Sequence, residues 1–247
     1  MFAYRVFHLS KDVDREANYV TADSYMAKHA TRLISPTIEF ESASDVAAFC
    51  KNNPDFRIDL TGYSPKDLAR DVFLASLPTL TGWKLGEVGI WASNFLAWKA
   101  FLETDADYLI LIEDDCAISD DMMDKMVEYM KELPSDWDIY HHFVHFQDAP
   151  WYHPGLDIGA PHVCRAYQEW SNLCYVINRR SAKKLLSMIE EKEITLPLDW
   201  FWSKQLDKIN TYTLKPKVYS GIELRWFEST YQTTNKRIDL KVELKSE

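Results

Sequence analysis

Three consecutive acids, Glu113, Asp114 and Asp115, follow the uninterrupted apolar run Tyr108-Leu-Ile-Leu-Ile112. Carboxylates at i and i+2 of an extended segment project to one side. Such hard oxygen ligands suit Mg²⁺ or Mn²⁺, with diphosphate oxygens and water completing the shell. Position matters more than charge: a run of that length reads as a strand covered on both faces, and open α/β sheets keep their ligand crevices at the carboxyl ends of strands. Asp115 and Glu113 are therefore the candidate metal ligands. The competing reading is that the acids only solvate a turn, or serve a helix that begins at Ser119.

Other groups offer weaker chemistry. His141, His142 and His145, with His153 and His162 beyond, suggest a zinc site, but their flanks Ile139, Tyr140, Phe143 and Val144 read as a strand and no H-E-x-x-H pattern occurs. A lining or structural role is the expectation for them. Arg165, Arg179, Arg180, Lys183 and Lys184 form the densest basic stretch and read as a solvated helix face, with Arg15 and Arg165 as candidates for a phosphate contact. Cys50, Cys116, Cys164 and Cys174 contain no C-x-x-C pair, so reduced, mostly buried thiols are expected.

The elements that must position the acids follow from periodicity. Alternation over residues 4–9 predicts an opening strand, and Ser44 predicts a short helix over 44–50 that ends near Asn52-Asn53-Pro54. Ser64-Pro65 starts a second predicted helix, to about residue 76. Leu85, Val88, Trp91, Phe95, Trp98 and Leu102 recur every three or four residues and predict a helix over 85–103 with one broad apolar face. After the acids, Ser119 caps a helix whose inward stripe is Met122, Met126, Val127, Met130 and Leu133. Residues 138–144 and 173–178 read as strands and 180–191 as a helix. The segment 147–170, rich in Pro, Gly, Trp and His, reads as a functional loop over a pocket that orders when a donor binds. Strand and helix keep alternating, which favours a mostly parallel sheet with flanking helices in a single domain over 1–247, fraying only after about residue 236.

Composition limits the partners. With 28 Lys plus Arg against 38 Asp plus Glu the formal charge is -10, which repels nucleic acid and anionic membrane surfaces. The chain of 247 residues contains no apolar stretch of about 18 residues and opens without a basic segment before an apolar run, so a soluble, cytoplasmic protein is expected. Nine Trp and thirteen Tyr fill a core and also supply platforms for sugars and bases.

The segment Leu85-Gly86-Glu87-Val88-Gly89 through Ser93, Trp98 and Lys99, followed by Tyr108 to Asp115, resembles the central signature of the family 25 glycosyltransferases. That family includes lipooligosaccharide and collagen hydroxylysine galactosyltransferases. Val6-Phe7-His8-Leu9 with Asp14-Arg15, Cys174-Tyr175-Val176-Ile177-Asn178 leading into Ala182 to Leu186, and the P-x-D element Pro197-Leu198-Asp199 extend the likeness collinearly over about residues 4–202. His8 and Asn94 stand where the family usually carries Asn and His.

The resemblance implies a GT-A type Rossmann-like α/β fold, an inverting hexose transfer from a UDP-hexose donor, most naturally galactose or glucose, and a Mn²⁺ or Mg²⁺ cofactor. It also implies a place in lipopolysaccharide-type biosynthesis, with a glycan, protein or small-molecule acceptor. The donor contacts it implies are Arg15, Glu87, Asn94, Glu113 and Asp114. An inverting transfer needs a base for the acceptor hydroxyl. Asp199, next to Trp200-Phe201-Trp202, is the first candidate; Glu169 and Asp157 are alternatives, and a helix-capping role for Asp199 is the competing reading. Two other functions share these features: a carbohydrate-binding or assembly protein without turnover, and a phage-type enzyme acting on a modified DNA base.

Overall fold

The computed structural model describes residues 1–59, 83–144, 155–167 and 171–225. Among these the strands are β1 (Phe2–Phe7), β2 (Thr31–Arg32), β3 (Tyr108–Glu113), β4 (Cys116–Ile118), β5 (Ile139–His141), β6 (Leu156–Asp157), β7 (Val163–Arg165), β8 (Cys174–Asn178), β9 (Thr211–Leu214) and β10 (Ile222–Leu224). The α-helices are α1 (Glu16–Met26), α2 (Ala43–Asn52), α3 (Leu85–Leu102), α4 (Met122–Met130), α5 (Arg179–Glu191) and α6 (Leu198–Lys204). The predicted helix over 64–76 and the tail after residue 236 lie outside the described residues.

Eight strands form one sheet in the order β2-β1-β3-β8-β5-β9-β7-β6, and β10 pairs with β4 in a separate two-stranded sheet. β1 is parallel to β2 and β3, and β5 is parallel to β9, while β8 and β7 run against their neighbours. Six of the eight strands therefore point one way, in a mixed α/β sheet that is mostly parallel in direction.

Strand periodicity divides the core into two layers. Leu109, Leu111, Tyr175 and Ile177 face one cluster with α2, α3, α5 and α6. Ile110, Ile112, Cys174 and Val176 face the other, with α1 and α4. β3 is buried on both faces, as its unbroken apolar run predicts.

Several boundaries differ from expectation. The cap of α2 is Ser42, whose Oγ accepts from Asp45 N at 3.2 Å while Asp45 Oδ2 accepts from Ser42 N at 2.9 Å. That reciprocal box outcompetes the lone Ser44. Ser119 does not cap α4: its hydroxyl donates to Asp121 and to Gly221 O, and Asp121 is the residue that precedes the helix. α3 has no single apolar face. Trp91, Phe95, Ala97, Trp98 and Phe101 are buried together with Gly89, Ser93 and Asn94, so the helix is enclosed nearly all round. Gly89 is required there because a Cβ would lie 2.7 Å from Ile38 O, and Ser93 Oγ accepts from Ile38 N at 2.7 Å.

The segment 147–170 is only partly a loop. Residues 155–167 contain β6 and β7, which lengthen the sheet through the pairing of β7 with β9, while 145–154 and 168–170 lie outside the described residues. No helix among the described residues is long and apolar enough to cross a membrane.

Candidate active site

Parallel register builds the site. Phe7 pairs with Glu113, so the next residues of the two chains, His8 and Asp114, leave the sheet side by side. His8 Nδ1 donates to Asp114 Oδ2 at 2.6 Å, since an ionised carboxylate only accepts. Arg15, at the end of a short 3-10 turn (Val13–Arg15), donates through Nη1 to Asp114 Oδ1 at 3.0 Å. Both oxygens of the buried Asp114 are thus engaged within the protein. Burial works against the Arg15 cation, but the hydrogen bond and charge of Asp114, with Asp115 and Asp12, outweigh it and raise its pKa.

Asp115 is held differently. Its Oδ2 lies 4.0 Å from Arg15 Nη1, and its Oδ1 is buried without a hydrogen-bond partner among the described residues. Burial and the charge of Asp114 lift its pKa to about 6 against the pull of Arg15. Burial likewise raises Glu113 well above the ordinary carboxylate range, reinforced by Asp115, Asp114 and Asp199. Glu113 and Asp199 keep some solvent contact while protein surrounds them closely, and Asp199 lies near enough for its charge to raise Glu113. The turn that carries the acids is closed from behind: β4 follows directly and pairs with β10, and Arg225 N donates to Asp115 O at 2.7 Å.

Asp199 comes to this acid cluster from the first turn of α6. Its Oδ1 accepts from its neighbour Trp200 N at 3.0 Å, and burial together with the charge of Glu87 pushes its pKa up to about 7. Trp91 on α3 positions the approach, because its Nε1 donates to Leu196 O at 2.7 Å and its ring meets Phe201 edge-on at 5.0 Å.

The remaining sequence candidates fall in different places. Glu87 is buried at the start of α3, where its Oε2 accepts from Lys84 N at 2.9 Å. Asn94 lies inside the core, bonded to Ile90 O and to the hydroxyl of Tyr175, which also accepts from Trp98 Nε1. Asp157 stands on the edge strand β6, paired with Lys215 at 2.8 Å and not with the acid cluster. Glu169 lies outside the described residues. Arg165 reaches Asn210, Arg179 binds the carbonyls that end α3, and Arg180 and Lys184 pair with the buried Asp138, so most of the basic stretch is structural.

His141 and His142 are fully buried, bonded to Ser171 O and Ser220 O, and burial lowers both to about 3, so they are neutral rings inside the protein. His162 pairs with Glu132; His145 and His153 lie outside the described residues. The four cysteines are free, three of them buried.

Sequence reading missed what adjoins His8. A cavity of about 400 Å³ lies beside it, lined among others by Arg5, Tyr19, Thr37 and Glu39. Arg5 Nη2 donates to Thr37 Oγ1 at 2.8 Å on its wall. Only the strand register could have flagged these residues, since they carry no motif of their own.

The acidic turn suits a hard divalent cation. Asp115 offers an unpartnered oxygen, Glu113 stands beside it, and their mutual repulsion falls when a cation binds. No group of three His, Cys, Asp or Glu side chains converges as a full cage among the described residues, so the other ligands would be substrate oxygens and water.

No protein-family model and no curated protein matches the sequence. Solved structures with a distant likeness are glycosyltransferases. A Drosophila β1,4-galactosyltransferase 7 mutant in complex with manganese, UDP-Gal and xylobiose is 12% identical with a TM-score of 0.39, over 95% of this chain and 73% of that one. An active-site mutant of LgtC is 12% identical with a TM-score of 0.36, over 86% and 71%. A glycosyltransferase involved in glycosylation of the major capsid of PBCV-1 is 9% identical with a TM-score of 0.31, over 89% and 94%. Likeness at this level assigns no role to any residue.

Proposed function

We propose that the chain is a glycosyltransferase of the family 25 type, which moves a hexose from a UDP-sugar to an acceptor hydroxyl with inversion and with help from Mn²⁺ or Mg²⁺. One observation carries the reading: at the carboxyl end of β3, Asp115 buries an oxygen with no partner beside a second carboxylate of raised pKa, and a base-range Asp199 faces the same crevice. Carboxylates held this way are costly without a ligand, which speaks against a fold that has lost turnover.

The roles follow from placement. Asp115 and Glu113 hold the cation, whose charge would offset that building on the departing diphosphate. Asp199, with a pKa of about 7, accepts the proton of the acceptor hydroxyl at neutral pH, where a base is most effective. The cavity beside His8 is the natural seat for the nucleoside, because it adjoins the acid cluster through His8 itself. Trp200 and Phe201 wall the acceptor side and exclude water.

The test is a screen of nucleotide sugars with and without Mn²⁺, read as thermal stabilisation, followed by proton NMR of the product anomer. A true donor at 100 times its Kd adds roughly 2.7 kcal/mol by mass action. Metal-independent melting with every nucleotide sugar would overturn the reading, and a product that keeps the donor's configuration would overturn inversion.

A further inference from the structure

We propose that His8 is a positioning residue, which fixes Asp114 and through it the acidic turn that presents Asp115 and Glu113 to the cation; the inference rests on the metal-dependent reading above. The ring is held by three neighbours and borders the cavity. Its Nδ1 donates to Asp114 Oδ2 at 2.6 Å, its Nε2 lies 2.8 Å from Glu16 Oε2 at an angle poor for a hydrogen bond, and its face stacks on Tyr19 with centroids 4.6 Å apart and planes 11° apart. Only 7% of the side chain is exposed.

Glu16 and Tyr19 sit on consecutive turns of the first part of α1, and Arg15 immediately precedes the helix. One short stretch of chain therefore orients the imidazole from two sides while its own arginine takes the other oxygen of Asp114. Asp114, with both oxygens engaged, has no freedom to rotate. Its sequence neighbour Asp115 keeps a buried oxygen without a hydrogen-bond partner among the described residues, and the hydrogen bond from His8 ties the acidic turn to the residue that follows β1.

Groups that orient a metal's ligands without touching the metal are worth about 10- to 100-fold in metal affinity. The same range is expected here, carried by Nδ1 and not by the ring's bulk.

The experiment titrates Mn²⁺ by electron paramagnetic resonance in the presence of UDP, with melting of the metal-free protein measured in parallel. His8→Phe keeps the stack on Tyr19 and loses both polar contacts, so Mn²⁺ should bind about 10- to 100-fold more weakly. His8→Asn places an amide nitrogen near the Nδ1 position and should restore affinity to within a few-fold. His8→Gln places its amide near Nε2 instead and should bind as weakly as the Phe variant, which keeps the test decisive if His8→Phe does not fold. Asp114→Asn weakens the Arg15 contact as well and should lower affinity at least as much, and adding His8→Phe to it should cost little more, because the His8 contact is then already weakened.

A lower melting temperature with unchanged Mn²⁺ affinity would make His8 merely structural and overturn the inference. So would equal affinity in the Asn and Gln variants. A parent protein that binds no Mn²⁺ with UDP overturns the functional reading and the inference with it, whereas a parent that binds while His8→Phe binds equally well overturns the inference alone.

Discussion

Pro197, not Asp199, occupies the cap position of α6, so replacing Asp199 by Asn separates a catalytic base from an acid that only serves the helix's first turn, because the two roles predict different dependences on pH. The folded protein raises this carboxyl from 3.8 to about 7, through burial first and the charge of Glu87 second. An acid whose folded pKa is raised adds stability that is fully present below its unfolded pKa and is lost as pH climbs through the folded value. The window is therefore about pH 4 to 7. A gap of about 3 units corresponds to ~4 kcal/mol at 1.36 kcal/mol per unit, of which about two units, or ~3 kcal/mol, are lost between pH 5 and 8. Water at the crevice mouth screens the partly exposed group, so about half that figure is realistic. Asn never ionises, yet it keeps an oxygen for Trp200 N and is nearly as good at a helix start. Relative to the parent, the variant should gain ~1.5 kcal/mol more at pH 8 than at pH 5. For a chain of this size that amounts to about 3–6 °C in Tm. The difference between variant and parent is the quantity to read, because His141 and His142 give both proteins a slope of opposite sign. Transfer should meanwhile fall by about 10²- to 10⁴-fold with UDP affinity unchanged. An Asn variant with full activity and a pH-independent Tm difference would refute the assignment and leave Asp199 as a first-turn residue of α6.

Asp115→Ala should abolish Mn²⁺-dependent UDP binding in calorimetry while the metal-free protein melts no lower than the parent, because burial of the carboxylate and repulsion by Asp114 outweigh the pull of Arg15; retained binding would remove Asp115 from the ligand set. Gly89→Ala forces a Cβ to 2.7 Å from Ile38 O and should cost about 1–3 kcal/mol, visible as a fall of several degrees in Tm. Ser42→Ala breaks the capping box of α2 and should cost about 1 kcal/mol in urea unfolding. His141 and His142, lowered to about 3, contribute stability present above the unfolded value near 6.5 and lost as pH falls toward 3. In a background with Glu113→Gln, Asp115→Asn and Asp199→Asn, which removes the raised acids of opposite slope, urea midpoints should therefore drop from pH 7 to pH 4.5, and a flat profile would contradict their burial as neutral rings.

What the sequence revealed, and what it hid, divides by the range of the interaction. β3 and α3 were legible because each writes its own burial: one as an unbroken apolar run, the other as a 3.6-residue repeat. The place of Glu113-Asp114-Asp115 was legible for the same reason, since the strand's end is visible in the chain itself. The enclosure of α3 was not, because Gly89 and Ser93 read as neutral positions until Ile38 is laid against them. β4 and β10 are three residues each, too short for any periodicity, yet they close the acidic turn.

The deepest omission is electrostatic. Nothing local marks Glu87, Glu113 and Asp199 as neighbours, yet Glu87 raises the pKa of Asp199 and Asp199 that of Glu113, and Arg15 opposes the excess at Glu113 and Asp115. Arg15 is itself committed to Asp114. The crevice therefore holds more negative charge than the described protein groups neutralise, at the sheet edge where substrates of this fold class bind. A structure that retains such repulsion is more stable with a cation bound than without, and that difference is available to hold a diphosphate. The same unsatisfied field that makes the metal-free protein weaker at alkaline pH is what gives the site its affinity, so stabilising the metal-free form by neutralising Asp115 or Asp199 should always be accompanied by loss of binding or turnover.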